Sequence, residues 1–142
     1  MHTFVKAESV EKGKELGAPD AFIIEKAIKE NWIKVVKLNR KQSLRVRRLI
    51  RETRIGLGEA GALTLARDKG MMAILDDREA RAIAKSWGLE YAGTIMVLYE
   101  AFIKKFITYD ELVEGLAKLT RVMWISTDII TEVIRRARKE IK

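Results

Sequence analysis

An α/β fold with a short parallel sheet is the class this sequence predicts, on three observations. Helical periods alternate with short β-branched or apolar runs, the pattern of parallel strands joined by helical crossovers. Glycine and capping residues punctuate the periods where helices should stop and start. The composition suits a packed core: the chain has 142 residues, 48% hydrophobic and 34% charged, which is globular rather than disordered, and its length fits one domain over 1–142.

Pro19 to Lys29 reads as a helix, with proline in the first turn and Phe22, Ile23, Lys26, Ala27 and Glu30 at helical spacing. Trp32-Ile33-Lys34-Val35-Val36 has the β-branched and aromatic side chains of a strand. Gln42 to Thr53 reads as a helix with Leu44, Leu49 and Ile50 turned inward. Gly58 to Lys69, rich in Ala and Leu, is a second strong helix, closed by Gly70. Met71 to Leu75 is a short buried strand, with the Met71-Met72 pair in its core. Arg78 to Trp87 is a helix stopped at Gly88, Leu89 to Ala92 a short strand, and Thr94 to Phe106 an apolar helix.

Thr108-Tyr109-Asp110-Glu111 fits a capping box, in which hydroxyl and carboxylate each satisfy an orphan amide. The helix it opens carries Leu112, Val113, Leu116 and Leu119. Ser126 is a natural N-cap for a last helix that buries Ile129, Ile130, Val133, Ile134 and Ala137. Trp32, Trp87 and Trp124 all fall in apolar stretches, so core packing is expected of them rather than base stacking. Three strands emerge, which is few for a stable parallel sheet.

Several chemistries are excluded. The chain has no cysteine, which removes disulfides and thiolate metal sites and is compatible with a reducing compartment. His2, the sole histidine, sits at the terminus, which argues against histidine acid–base catalysis, a Ser-His-Asp triad and a zinc site. The Gly58 region lacks the Gly-Lys-Ser/Thr ending of a phosphate-binding P-loop. No apolar run is long enough to span a membrane, and Met1 to Lys6 lacks the core of a secretory signal; a cytoplasmic protein is expected. The net charge of +8 favours polyanion partners, nucleic acid first, although high charge with one proline also resembles a thermophile's solubility strategy.

Two acidic elements carry the chemistry. Gly56-Leu57-Gly58-Glu59-Ala60 puts an acid in the opening turn of a helix. Eighteen residues on, Asp77 follows Asp76 where a short apolar strand runs out. An α/β fold brings both to one edge of its sheet, where paired carboxylates are suited to a divalent metal. Each acid has a plainer reading. Asp76 or Asp77 is a good N-cap, and Asp76 with Glu79 resembles a capping box. Glu59 complements a helix dipole, and Glu8 lies in a charged, helix-like run of surface character.

Lys37, Arg40, Lys41, Arg45, Arg47, Arg48, Arg51 and Arg54 form a basic patch in which Glu52 is the only acid. Arg40, Arg47, Arg51 and Arg54 fall near one helix side. This patch suits an RNA backbone with steep salt dependence, or an acidic protein segment, or is a solvated face. Arg135, Arg136, Arg138, Lys139 and Lys142 make a second cluster where a helix dipole also favours cations.

Taken together, Gly56-Leu57-Gly58-Glu59-Ala60-Gly61-Ala62, Leu75-Asp76-Asp77-Arg78-Glu79-Ala80-Arg81 and Gly93-Thr94 resemble the PIN-domain nuclease superfamily, in its branch of predicted nucleic-acid-binding proteins of the toxin–antitoxin type. Glu8-Ser9-Val10-Glu11 through Gly17, Phe106-Ile107 and Trp124-Ile125-Ser126 extend the resemblance over essentially the whole chain. It implies a three-layer α/β/α domain that cleaves RNA with Mg²⁺ or Mn²⁺ held by acids. Glu8 matches the family's second acid, Glu59 the third and Asp77 the fourth, with Asp76 as the weaker candidate beside it.

The family's first strand, first helix and first acid have no counterpart, so an N-terminally truncated domain is expected. A homodimer or higher oligomer is expected to cover the exposed sheet edge. The leading functional expectation is a metal-dependent ribonuclease, the toxin partnered by a small antitoxin. The alternative is a catalytically inactive PIN-like remnant that binds nucleic acid or protein.

Overall fold

Where the sequence pattern breaks, helices end. A computed structural model describes residues 1–141, which leaves Lys142 of the second basic cluster outside the described residues. The chain divides within a short strand into two units, one over Met1–Tyr91 and one from Ala92 onward.

The first unit begins with a continuous helical segment: α1 (Thr3–Lys6), a π-helical turn (Ala7–Lys12) and α2 (Gly13–Glu15). Then come α3 (Pro19–Lys29), α4 (Arg40–Glu52), α5 (Leu57–Lys69), β1 (Ala73–Ile74), α6 (Arg78–Ser86) and β2 (Tyr91–Ala92). The β1–α6–β2 run makes a two-stranded parallel sheet, so the α/β class holds. α4 starts two residues earlier than expected because Asn39 and Gln42 form a full capping box, each side chain meeting the other's backbone amide at 2.8 and 2.9 Å.

The strands are shorter than the sequence suggests. Asn31 adopts a left-handed φ of 62°, and the Trp32 and Ile33 amides turn back to the Ala27 carbonyl at 2.9 and 3.1 Å. That spends the start of the expected Trp32–Val36 strand on closing α3, and only a one-residue parallel bridge between His2 and Val36 survives. The same happens after α5, where Gly70 (φ 60°) directs the Met71 amide to the Ala66 carbonyl at 3.0 Å. Met71 and Met72 are therefore half exposed rather than in a strand core. After α6, Gly88 (φ 65°) sends the Leu89 amide to Ala84 at 2.9 Å, and β2 begins only at Tyr91.

α5 is the centre of the first core. Gly58, Ala60, Gly61, Leu63, Thr64, Leu65 and Ala66 are all buried on it, and a helix apolar on most sides belongs inside a fold. Val46 and Leu49 of α4, Ile55, Ala73 and Leu75 around β1, and Ala80 and Ala84 of α6 pack with it. Burying a side chain such as Leu63 fully contributes about 1.5–3 kcal/mol. Leu49 is buried and Ile50 packs beside it as expected, but Leu44, also expected inward, is 58% exposed, because α4 buries Gln42 and Val46 on the side opposite to it.

The second unit is three helices: α7 (Thr94–Ile103), α8 (Tyr109–Leu119) and α9 (Thr127–Glu140). α7 stops short of Phe106, whose amide caps it by bonding to the Ala101 carbonyl at 2.9 Å. The expected capping box forms in full at Thr108 and Glu111. Ser126 is the N-cap of α9, although its hydroxyl makes no capping bond. Leu112, Leu116 and Ala137 are the buried centre, with Val133 and Ile134 packed beside them; Ile129, expected to be buried, is 48% exposed. Gly115 permits a close approach, since a Cβ there would stand 2.9 Å from Leu98 Cδ2.

Of the three tryptophans only Trp87 packs against a core; Trp32 is 82% and Trp124 88% exposed, contrary to the expectation for both. Among the described residues no helix is long and apolar enough to cross a membrane.

In α9, Arg135 and Arg136 both donate to Glu132, and they lower its pKa from an ordinary 4.5 to about 2. A depressed carboxylate stabilises the fold above its unfolded pKa, and the contribution is lost as pH falls through the folded value. Glu132 is 39% exposed, so solvent and salt keep the contribution small. A carboxyl NMR titration should place the Glu132 midpoint near 2 in low salt and move it upward as salt is added. A midpoint at the ordinary value would show that these ion pairs do not form in solution.

Candidate active site

Glycines let two distant acids reach one helix turn. Gly56 is the N-cap of α5 and Glu59 lies in its first turn, where the helix dipole favours an anion. The Glu59 carboxylate folds back over Gly56, its Oε2 only 2.7 Å from where a Cβ would stand. Glu8 arrives from the π-helical turn Ala7–Lys12, a rare geometry that is frequent at functional sites. Its Oε2 lies over Gly58, 3.1 Å from the Cβ position there. Glu8 and Glu59 thus share the opening turn of α5.

His2 fixes that arrangement. The Phe4 amide donates to its Nδ1 at 3.1 Å, which caps α1 and places the ring proton on Nε2. Nε2 then donates to the Gly58 carbonyl at 2.9 Å. The ring is buried, meets Phe4 edge-on at 5.5 Å, and occupies the space left by the missing side chain of Gly61. The sequence marks His2 as a terminal residue of no consequence. The signal available was the pair of glycines at 58 and 61, which leaves room for a bulky neighbour on α5.

The second acidic element is occupied differently. Asp77 is the N-cap of α6, its Oδ1 accepting the Ala80 amide at 2.7 Å. Asp76 pairs with Arg81 at 3.2 Å, and Arg81 also donates to the Leu75 carbonyl at 2.7 Å. The capping box spelled by Asp76 and Glu79 is not formed. Glu79 instead accepts the Arg54 amide at 3.1 Å, which ties the first turn of α6 to the loop leading into α5. Glu79 is a further acid of this region that sequence reasoning read only as a helix cap.

Among the described residues no three carboxylates or imidazoles form a group able to hold a metal ion. Glu8 and Glu59 border the first turn of α5 over different glycines, and Asp76 and Asp77 stay at α6. One or two carboxylates, completed by water and substrate phosphate, are the usual protein share of a Mg²⁺ site. Glu8 and Glu59 each bring one carboxylate of that type to the first turn of α5, over Gly58 and Gly56.

The basic patch separates into two sets. Arg45 pairs with Asp68, which also accepts from Gln42 at 3.0 Å; Arg45 first and Gln42 second hold the Asp68 carboxyl below its ordinary range. Arg48 and Arg51 reach Glu52 at 2.9 and 3.8 Å. Arg40, Lys41 and Arg47 are exposed on α4 with no ion pair among the described residues, and Arg54 lies beyond the helix end. Arg40, Leu44, Arg47 and Arg51 recur at helical spacing as one exposed stripe. In the other basic cluster Arg135 and Arg136 serve Glu132, and Arg138 donates to the Tyr109 hydroxyl at 3.0 Å.

Gly61→Ala should destabilise the protein by about 1–3 kcal/mol in urea melts, because the added methyl overlaps a buried ring. Pairing it with His2→Ala should recover part of that loss. Strict additivity of the two changes would mean that the ring does not occupy this space.

No curated protein and no solved structure matches the chain. The family model DUF3368, described as a PIN domain, matches residues 3–139, from the first turn of α1 to the last turn of α9. With nearly its whole length matched, and with Glu8 and Glu59 at one helix turn, the chain belongs to the PIN-domain family.

Proposed function

We propose that the chain is a metal-dependent ribonuclease and the toxin of a toxin–antitoxin pair. The observation that carries this reading is the meeting of Glu8 and Glu59 at the opening turn of α5, in a family that is generally nucleolytic. Glu8 and Glu59 would hold Mg²⁺ or Mn²⁺. Asp77, with Asp76 its weaker neighbour, is the proposed further acid of the site, although it caps α6 and forms no three-acid group with Glu8 and Glu59 among the described residues. When bound, such an ion polarises a phosphodiester and makes a water nucleophilic near neutral pH.

The residues of the chain itself bind and orient. His2 fixes the helix turn that carries Glu59, and the exposed Arg40, Lys41, Arg47, Arg51 and Arg54 would hold the RNA backbone, with Arg45 and Arg48 beside them. Both units together form one PIN domain in this proposal, which the match over residues 3–139 supports. A small antitoxin and a second copy of the chain are its proposed protein partners; the net charge of +8 and the exposed Trp124 and Val122 support an acidic and partly apolar cover. The cytoplasm is its proposed location, in keeping with a chain that has no cysteine.

A second reading has its own support. The lack of a three-acid group among the described residues favours a catalytically inactive module that binds nucleic acid or protein.

Cleavage of a structured RNA pool separates the two. Cleavage with Mn²⁺, none with EDTA, and a loss of about a hundredfold or more in Glu59→Gln is the expected result for the enzyme. Asp77→Ser keeps a good N-cap, so its melting curve should stay near the parent's while cleavage falls. RNA binding that weakens with salt, survives Glu59→Gln and comes without cleavage in any metal would establish the inactive module.

A further inference from the structure

A groove on the first unit is lined by Arg45, Arg48 and Leu49 of α4, Arg67 of α5, and Ile83 and Trp87 of α6 and its C-cap. Its volume is about 410 Å³, within the usual range for small-ligand sites. Glu59 and Arg67 stand eight residues apart on α5, about 12 Å along the helix axis, so the groove is separate from the acid pair. We propose that this groove binds a nucleotide: one phosphate held by the arginines and one planar, amine-bearing base.

The arginines are prepared for an anion. Arg45 is anchored by Asp68 and Arg48 by Glu52, so the groove's three guanidinium groups face two carboxylates and keep one net positive charge. Arg67 has no carboxylate partner among the described residues. Its guanidinium lies over the Trp87 ring, 4.7 Å from the centroid. Stacking uses the face of a guanidinium and leaves its in-plane N–H groups to grip phosphate oxygens in pairs.

The base is argued from the remaining walls. The face of Arg67 turned away from Trp87 is a stacking surface of the kind that receives unpaired bases. Leu49 and Ile83 supply apolar sides. Two hydroxyls also border the groove, and both protons are already spent: Thr53 donates to the Leu49 carbonyl at 2.7 Å and Ser86 to the Ile83 carbonyl at 2.8 Å. The Ser86 oxygen is left as an acceptor, and the Thr53 oxygen, which already accepts the Ile55 amide at 3.4 Å, keeps one lone pair; this suits a base with an exocyclic amine and makes adenylate the apt probe. A simple anion would use the arginines and ignore the rest.

The test is titration of AMP into the full chain in EDTA at low salt. Binding is read by calorimetry and by Trp87 fluorescence in a Trp32→Phe, Trp124→Phe background. The expected result is saturable 1:1 binding, about tenfold or more tighter than inorganic phosphate and about tenfold weaker in Arg67→Gln. Glu59→Gln should bind AMP as the parent does. Should Arg67→Gln fail to fold, Arg48→Gln, on a side chain 72% exposed, reads the same loss.

A single-stranded RNA rich in adenylate distinguishes the two sources of the ligand. Displacement of AMP at lower concentration identifies a nucleotide unit of RNA, and failure to displace it identifies a free nucleotide. Non-saturating binding, equal affinity for phosphate and AMP, or unchanged affinity in both arginine variants would overturn the proposal. Metal-dependent cleavage plays no part in an EDTA experiment, so this result and the nuclease reading succeed or fail separately.

Discussion

Burial of α5 sets the terms for the first unit. A helix packed on most sides can receive neighbours only where its own side chains are small, and α5 has glycine or alanine at positions 58, 60, 61, 62 and 66. The N-terminal segment approaches over Gly58 and Gly61, led by Val5 and His2. α4 lies against it with Val46 and Leu49, and α6 contributes alanines at 80 and 84. The acid at the start of α5 and the arginine near its end are therefore carried on the least movable element of the unit. Holding functional groups on rigid, well-packed elements is what keeps their geometry reproducible.

That rigidity has a counterpart at α6, where Asp77 already has a structural task. A carboxylate that caps a helix is held in place, yet one of its oxygens is committed to a backbone amide. Glu79 is likewise committed, bridging to the Arg54 amide. Asp77 caps α6 and Glu79 ties it to the loop before α5, whereas Glu8 and Glu59 accept no backbone amide among the described residues. The acids thus divide between those that hold backbone amides and those whose carboxylates stay off the backbone. Sequence spacing offers each acid a structural reading and a metal-binding one, and does not reveal that division.

The helices were legible because their ends are written in local chemistry. Pro19, Gly70, Gly88, the Thr108–Glu111 box and Ser126 each stand where a helix begins or ends. The strands were less legible because the same chemistry consumes them. Residues 32, 33, 71 and 89 have strand-like composition but give their amides to the last turn of the preceding helix, and β-propensity is too weak to compete with a formed cap. Exposure of Trp32, Trp124 and Leu44 was not legible either, since apolar composition does not say which side of an element faces its neighbour. At the candidate site, spacing and resemblance named the acids but not where the fold would place them. The part played by His2 required the tertiary approach of the first residues to Gly58 and Gly61.

Residues 56 to 61 read Gly-Leu-Gly-Glu-Ala-Gly, the glycine spacing that elsewhere opens a dinucleotide-binding helix. There the missing side chains admit a pyrophosphate to the backbone. Here the chain itself fills each vacancy: Glu59 over Gly56, Glu8 and Val5 over Gly58, and the imidazole of His2 over Gly61. The room a dinucleotide would need at this helix is taken, and negative charge already stands where its phosphates would lie. A glycine pattern records that something approaches the backbone closely, and in this protein the visitors are Glu59 of the same helix turn and side chains of residues 2–8.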